Sequence, residues 1–189
     1  MTTYFDKIRD CVEWGESDRE RIAELRRWLD SDGVDLIDTL GEQLARLNDM
    51  HSLMSNARFV NRLCDTLREW LMGVLDETFD EEHIRKRRMF GKKLMEIDLT
   101  FDDIILLEGL AHQQLIELAK KRLDENPSLL LDTIHSLDKA LNFDLALIYN
   151  GYLHARDAEI ERILLDRFLT TTGFSRSLYE NLTETQEQR

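Results

Sequence analysis

The chain has 189 residues, 42% of them hydrophobic and 33% charged, long enough for one folded domain with an appendage and too apolar to be disordered. Its net charge of −13 argues against nucleic-acid backbones and anionic membranes as partners, since both need a basic surface. One proline and eight glycines leave so little punctuation that an all-α fold is expected.

The N-terminal run Met1 to Lys7 lacks the basic-then-apolar order of a signal peptide. No apolar run approaches the roughly 18 residues of a membrane span, so the cytoplasm is the expected compartment. Ser17-Asp18-Arg19-Glu20 reads as a capping box, with the serine accepting from the N3 amide and the glutamate reaching back. It opens a helix to about Leu29 that shows Ile22, Leu25, Trp28 and Leu29 on one face. Asp30 to Gly33 breaks it, and a second helix spans about Asp35 to Leu47. The third, from near Asn56 to Leu75, is the most clearly amphipathic, with Phe59, Leu63, Leu67, Trp70, Leu71 and Val74 at three- and four-residue steps.

A fourth helix, Asp80 to Ile97, is more polar and keeps Ile84, Gly91, Leu94 and Ile97 inside. Thr100 caps a fifth that runs to about Leu123, and Asp102-Asp103 suits its positive end. The apolar residues of this fifth helix wrap most of its circumference, so it needs cover on more than one side. After the break at Asn126-Pro127-Ser128 a very long sixth helix runs from about Leu129 to Leu169. It carries two stripes, one with Leu130, Ile134, Leu137, Leu141, Ile148 and Tyr152, the other with Leu147, Ile160, Ile163 and Leu164. Gly173 ends it, and Ser175 to Leu182 restarts an amphipathic segment before a polar end.

Catalytic chemistry is not encoded in any of these segments. There is no Cys/His pair at zinc spacing, no glycine-rich phosphate loop and no nucleophile elbow, so neither catalytic residues nor a metal site are expected. Cys11 and Cys64 stand far apart and read as free thiols, with Cys64 as a small buried hydrophobe. The basic cluster Arg85-Lys86-Arg87-Arg88 with Lys92-Lys93 reads as a solvated face paired with acids such as Asp80, Glu81 and Glu82.

Between Trp70 and Leu99 the order of residues is more specific. Trp70-Leu71, Phe79-Asp80, Arg87, Phe90-Gly91, Ile97 and Leu99 resemble, in register, the core motif of the bacterial globin-coupled sensor and protoglobin family. The resemblance covers roughly Gly33 to Ala155 and is strongest between Asn56 and Leu99. It extends to Leu141-Asn142-Phe143-Asp144-Leu145-Ala146-Leu147, which is similar to the family's last helix. The tail Phe174 to Arg189 is similar to the linker entry of diguanylate cyclase members.

The resemblance implies a globin fold with an N-terminal pre-helix and long last helices that form a dimeric four-helix bundle. The implied units are an extension or pre-helix over residues 1–32, a globin-like sensor domain over 33–170, and a linker to a C-terminal output domain from 171 to 189. In the family a proximal histidine three residues after the motif glycine holds heme iron. That position is Leu94, which has no lone pair to give. The distal tyrosine position falls near Leu40-Gly41, and no tyrosine occurs from Asp35 to Arg58. No heme or other cofactor is therefore expected.

The alternative is a heme-binding oxygen or redox sensor with an unusual ligand among His51, His83, His112, His135 and His154, or Cys64. His83, in place of the family's second tyrosine, is expected in solvent at a helix start, and His112 at either the pocket or a dimer partner. Leu40, Leu63, Leu67, Leu94, Ile97 and Leu137 are the candidate pocket lining, suited to an apolar ligand such as an acyl chain. Leu106, Leu110 and Leu147 are the candidate dimer interface. The functional expectation is a non-catalytic sensor and dimerisation domain regulating a diguanylate cyclase. A purely structural dimerisation module is the other reading.

Overall fold

The computed structural model describes residues 7, 10–32, 34–47, 57–76, 80–96 and 99–175. These form six helices, α1 (Glu16–Asp32), α2 (Val34–Leu47), α3 (Ala57–Val74), α4 (Glu81–Glu96), α5 (Phe101–Leu123) and α6 (Pro127–Thr172), and no strand among the described residues. The all-α expectation is met.

Local chemistry sets the helix ends. Thr100 accepts from the Asp103 amide while the Asp103 carboxylate accepts from the Thr100 amide, a complete capping box for α5. Asn126 caps α6 by accepting from the Leu129 amide, with Pro127 in the first turn. At the other end Gly173 takes φ 69°, the left-handed conformation that stops a helix cheaply only at glycine. Asp80 accepts from the His83 amide and starts α4.

α1 begins differently from the expectation. The box is made by Asp18, whose carboxylate accepts from the Gly15 amide at 2.9 Å, and the helix starts at Glu16 with Ser17 inside it. Asp18 is held inward because Ser136 Oγ and Lys139 Nζ of α6 also donate to it, at 2.7 and 3.0 Å. Burial pushes its pKa up, but these hydrogen bonds and the Lys139 charge more than offset that and hold it below the ordinary aspartate value.

One continuous hydrophobic core joins all six helices. α1 contributes Ile22, Leu25 and Leu29, so the N-terminal helix shares the interior of the domain it precedes. α6 packs along α4, α5 and α1, and α2 packs on α3 and α5. Fully burying one such leucine side chain contributes roughly 1.5–3 kcal/mol.

The closest approach is between α4 and α6. A Cβ built on Gly91 would collide with the Ile148 carbonyl, and one on Gly151 with the Arg88 carbonyl. Each helix presents a glycine to the other's backbone, so the two touch with no side chain between them. Beyond the crossing α6 diverges from α4 and outruns it. It has 46 residues, about 69 Å of helix at 1.5 Å per residue, and Ile160, Ile163, Leu164 and Phe168 on its distal half are exposed.

The candidate site beneath α4

The inward face of α4 consists of His83, Arg87, Phe90, Gly91 and Leu94, at the three- and four-residue spacing of one helix stripe. Leu94 is buried at 5% exposure and shares a core with Leu40 of α2, Leu67 of α3 and Leu137 of α6. Four of the six expected lining residues are thus buried in the one core of the domain. The side chain of Leu63 and the whole of Ile97 lie outside the described residues.

Gly41 is also buried, and a Cβ there would touch Cys64 Sγ at 3.8 Å and Leu67 Cδ1 at 3.9 Å. Gly41, at the expected distal position, therefore faces Cys64 and Leu67 of α3 at ordinary van der Waals distance. Burial, and then the nearby Asp38 and Asp65, raise the Cys64 pKa, which disfavours a thiolate. Cys64 is half-buried and Cys11 exposed, both as free thiols.

These residues do not fit a porphyrin iron. α4 offers no imidazole, thiolate or thioether to the inside at the level of Leu94, and Met95 beside it lines an outer groove instead. His83 is eleven residues earlier, about 16 Å along the axis. It is not in solvent as expected. The imidazole is 3% exposed, with Nδ1 at 3.5 Å from an Asp76 carboxylate oxygen, because the start of α4 tucks against the end of α3. His112 Nε2 lies 2.8 Å from Asp138 Oδ1 and ties α5 to α6, with a third of its side chain exposed. His135 and His154 are exposed, and His51 lies outside the described residues.

Arg87 departs most from the sequence reading. Its neighbours in the basic run are solvated, with Arg85 and Lys86 on Glu82, Lys92 near Glu96 and Lys93 near Glu69. Arg87 is instead 4% exposed and grips buried Asp144 of α6 through two hydrogen bonds, Nε to Oδ1 and Nη2 to Oδ2, the latter 2.8 Å. Trp70 Nε1 of α3 donates to the same carboxylate at 3.1 Å. The guanidinium carbon stands 5.1 Å above the Phe90 ring, and Gly73 leaves room that any Cβ would take from the guanidinium. Three helices therefore meet on one carboxylate. Glu108 of α5 feels that negative charge, and burial first and Asp144 second push its pKa up to about 7.

The expected interface residues divide. Leu106 is exposed at 49% and Leu110 is partly buried, whereas Leu147 is fully buried in the chain's own core and unavailable to a partner. Leu147 belongs with the inner residues Leu137, Ala140, Leu141, Asp144 and Ile148, not with the outer stripe.

With this geometry in view, the protoglobin family model matches residues 2–158. The chain belongs to the protoglobin family. Its fold is similar to the globin domain of the Geobacter sulfurreducens globin-coupled sensor, with a TM-score of 0.69 at 14% identity, covering 77% of this chain and 95% of that one. No curated protein matches it. Within this protoglobin fold Trp70, Arg87 and Asp144, which lie in the two stretches that carry the sequence resemblance, converge in space. Among the described residues no group of His, Cys, Asp and Glu could hold a metal ion. No helix among them is long and apolar enough to cross a membrane.

Proposed function

We propose that this chain is a heme-free protoglobin sensor domain that dimerises and regulates an output domain C-terminal to it. The observation that carries the reading is Leu94, which stands inward on α4 at the position that the family resemblance gives to the iron ligand, inside the core that also holds Leu40, Leu67 and Leu137. The domain performs no chemistry of its own. Its signal is a population shift, in which a bound ligand or altered packing moves α4 and with it α6.

The exposed apolar residues support dimerisation. Ile105 and Leu106 of α5 and Ile160, Ile163, Leu164 and Phe168 of α6 leave more apolar surface open than a solitary domain needs. A two-fold interface through α5 and α6 would bury more than about 2,000 Å², as obligate homodimers commonly do. A diguanylate cyclase is the output favoured here. The linker-like residues from Phe174 support it, as does Gly173, which stops α6 where a transducer would continue in heptads. The sequence encoded beyond Arg189 tests that choice, and a kinase or transducer domain there removes it.

Heme reconstitution tests the central claim. Titration with hemin followed by desalting should leave the protein without a sharp Soret band. A one-to-one Soret complex abolished by replacing a single histidine overturns the proposal. The purely structural reading draws on the burial of Leu94 within the chain's own core. It holds if no ligand of any kind changes the thermal stability or the output.

A further inference from the structure

Two helices that touch at a point must diverge on either side of it. α4 and α6 touch at Gly91 and Gly151, and between their C-terminal arms they leave an open wedge with a volume of about 820 Å³. That is within the range of small-molecule sites, roughly 300–1,000 Å³. The wedge lies on the outer side of α4, away from Leu94.

Its walls are of two kinds. Met89 and Met95 of α4 face Ala155 and Ala158 of α6, an apolar floor in which the methionines adapt to the shape of a ligand. Around them stand Arg88, Lys92, Arg162 and His154, against only Glu96 and Glu159. The wedge itself carries three arginine and lysine side chains against two glutamates, a local excess of positive charge on a chain of net charge −13. Both acids are engaged, Glu159 by Arg162 at 2.6 Å and Glu96 by Lys92 at 3.7 Å, and Arg162 also pairs with Asp166 at 3.1 Å. Exposed pairs of this sort contribute about 1 kcal/mol or less, so a ligand anion displaces them readily.

At the apex, next to Gly151, Asn150 also lines the wedge. Its side-chain oxygen is buried and has no hydrogen-bond partner. A buried acceptor in that condition costs roughly 1–3 kcal/mol, which a donor in the wedge recovers once the Asn150 amide turns toward it.

We propose that the wedge between α4 and α6 is a binding site for a compact amphiphilic anion bearing a hydrogen-bond donor. The apolar body lies on Met89, Met95, Ala155 and Ala158. The donor meets the Asn150 oxygen, and the anionic group sits toward Lys92 and Arg162. At about 100° per residue the exposed stripe Ile160, Ile163, Leu164 and Phe168 lies on the opposite side of α6, so dimerisation through it leaves the wedge open. The site stands whether or not the core beneath Leu94 binds anything, and it places a ligand across the junction of the two helices.

The test uses 1-anilinonaphthalene-8-sulfonate, which unites an aromatic body, an N–H donor and a sulfonate. Fluorescence titration of the full chain should give one saturable site per chain. Ala158→Trp, at an exposed position that fills the wedge, should abolish binding while leaving the thermal unfolding midpoint in place. Lys92→Glu should weaken it about tenfold or more. Lys86→Glu, on the same helix but outside the wedge, should leave it unchanged. Absence of saturable binding overturns the proposal, as does binding that Ala158→Trp and Lys92→Glu leave intact.

Discussion

Arg87 and Asp144 join α4 to α6 through two parallel hydrogen bonds between side chains that are both buried. Such a pair costs several kcal/mol per ion to remove from water and repays this only with good geometry and a full set of partners. Here Trp70 supplies a third hydrogen bond to the carboxylate, which fixes α3 against the same junction.

Removing one partner leaves the other as an uncompensated buried charge. Arg87→Met and Asp144→Leu should each destabilise the fold by about 3–5 kcal/mol in urea denaturation. The double variant should be less damaged than the sum of the two, and the double-mutant cycle should show a coupling of at least about 1 kcal/mol. Additive losses would mean that the pair carries no net interaction.

Glu108 predicts a pH dependence of the opposite sense to that of an ordinary ion pair. Its folded pKa, about 7, lies above the unfolded value of 4.5, because burial and the charge of Asp144 disfavour the carboxylate. Below the unfolded value both states hold the proton and nothing is lost. As the pH rises from there through about 7 the folded state loses stability relative to the unfolded one. The carboxyl is partly exposed, so the loss is about 1 kcal/mol, well below full conversion of the shift. Glu108→Gln should flatten the stability profile from pH 5 to 8, measured as urea midpoints.

Exposed apolar residues on α5 and α6 set the third expectation. Light scattering at micromolar concentration should give twice the chain mass. Leu164→Glu, at a residue 59% exposed in the single chain, should yield a folded monomer because it disturbs no core contact. Leu147→Glu should unfold the protein instead, since that residue has no exposure at all. An unaltered dimer in Leu164→Glu would move the interface elsewhere.

Much of this fold is legible in sequence because local signals agree with tertiary ones. The box at Thr100 and the break at Asn126-Pro127 locate helix starts through backbone chemistry that acts within four residues. The register from Trp70 to Leu99 carries the family. The charged interior was harder to read. In a linear view Arg85-Lys86-Arg87-Arg88 is a uniform solvated run, and only the step from His83 to Arg87, Phe90 and Leu94 shows that two polar residues share the inner stripe. Asp144 and Leu147 have the same spacing within Leu137, Ala140, Leu141 and Ile148. A stripe on a very long helix changes its partners along its length, so grouping Leu147 with Ile160 joined a core residue to a surface one. The wedge has no linear signature, because it depends on where two helices cross.

The reciprocal glycines at that crossing also limit how the junction can move. Side chains between helices act as a deformable cushion that permits sliding, but at Gly91 and Gly151 backbone rests on backbone, and Arg87 holds Asp144 beside the contact. The freedom that remains is rotation about a fulcrum. From Gly151 to Thr172 the free arm of α6 is about 32 Å long. A tilt of about 5° there carries its tip about 3 Å, more than half a helical turn. Such a tilt beside α4 would thereby be geared into a larger displacement at Gly173.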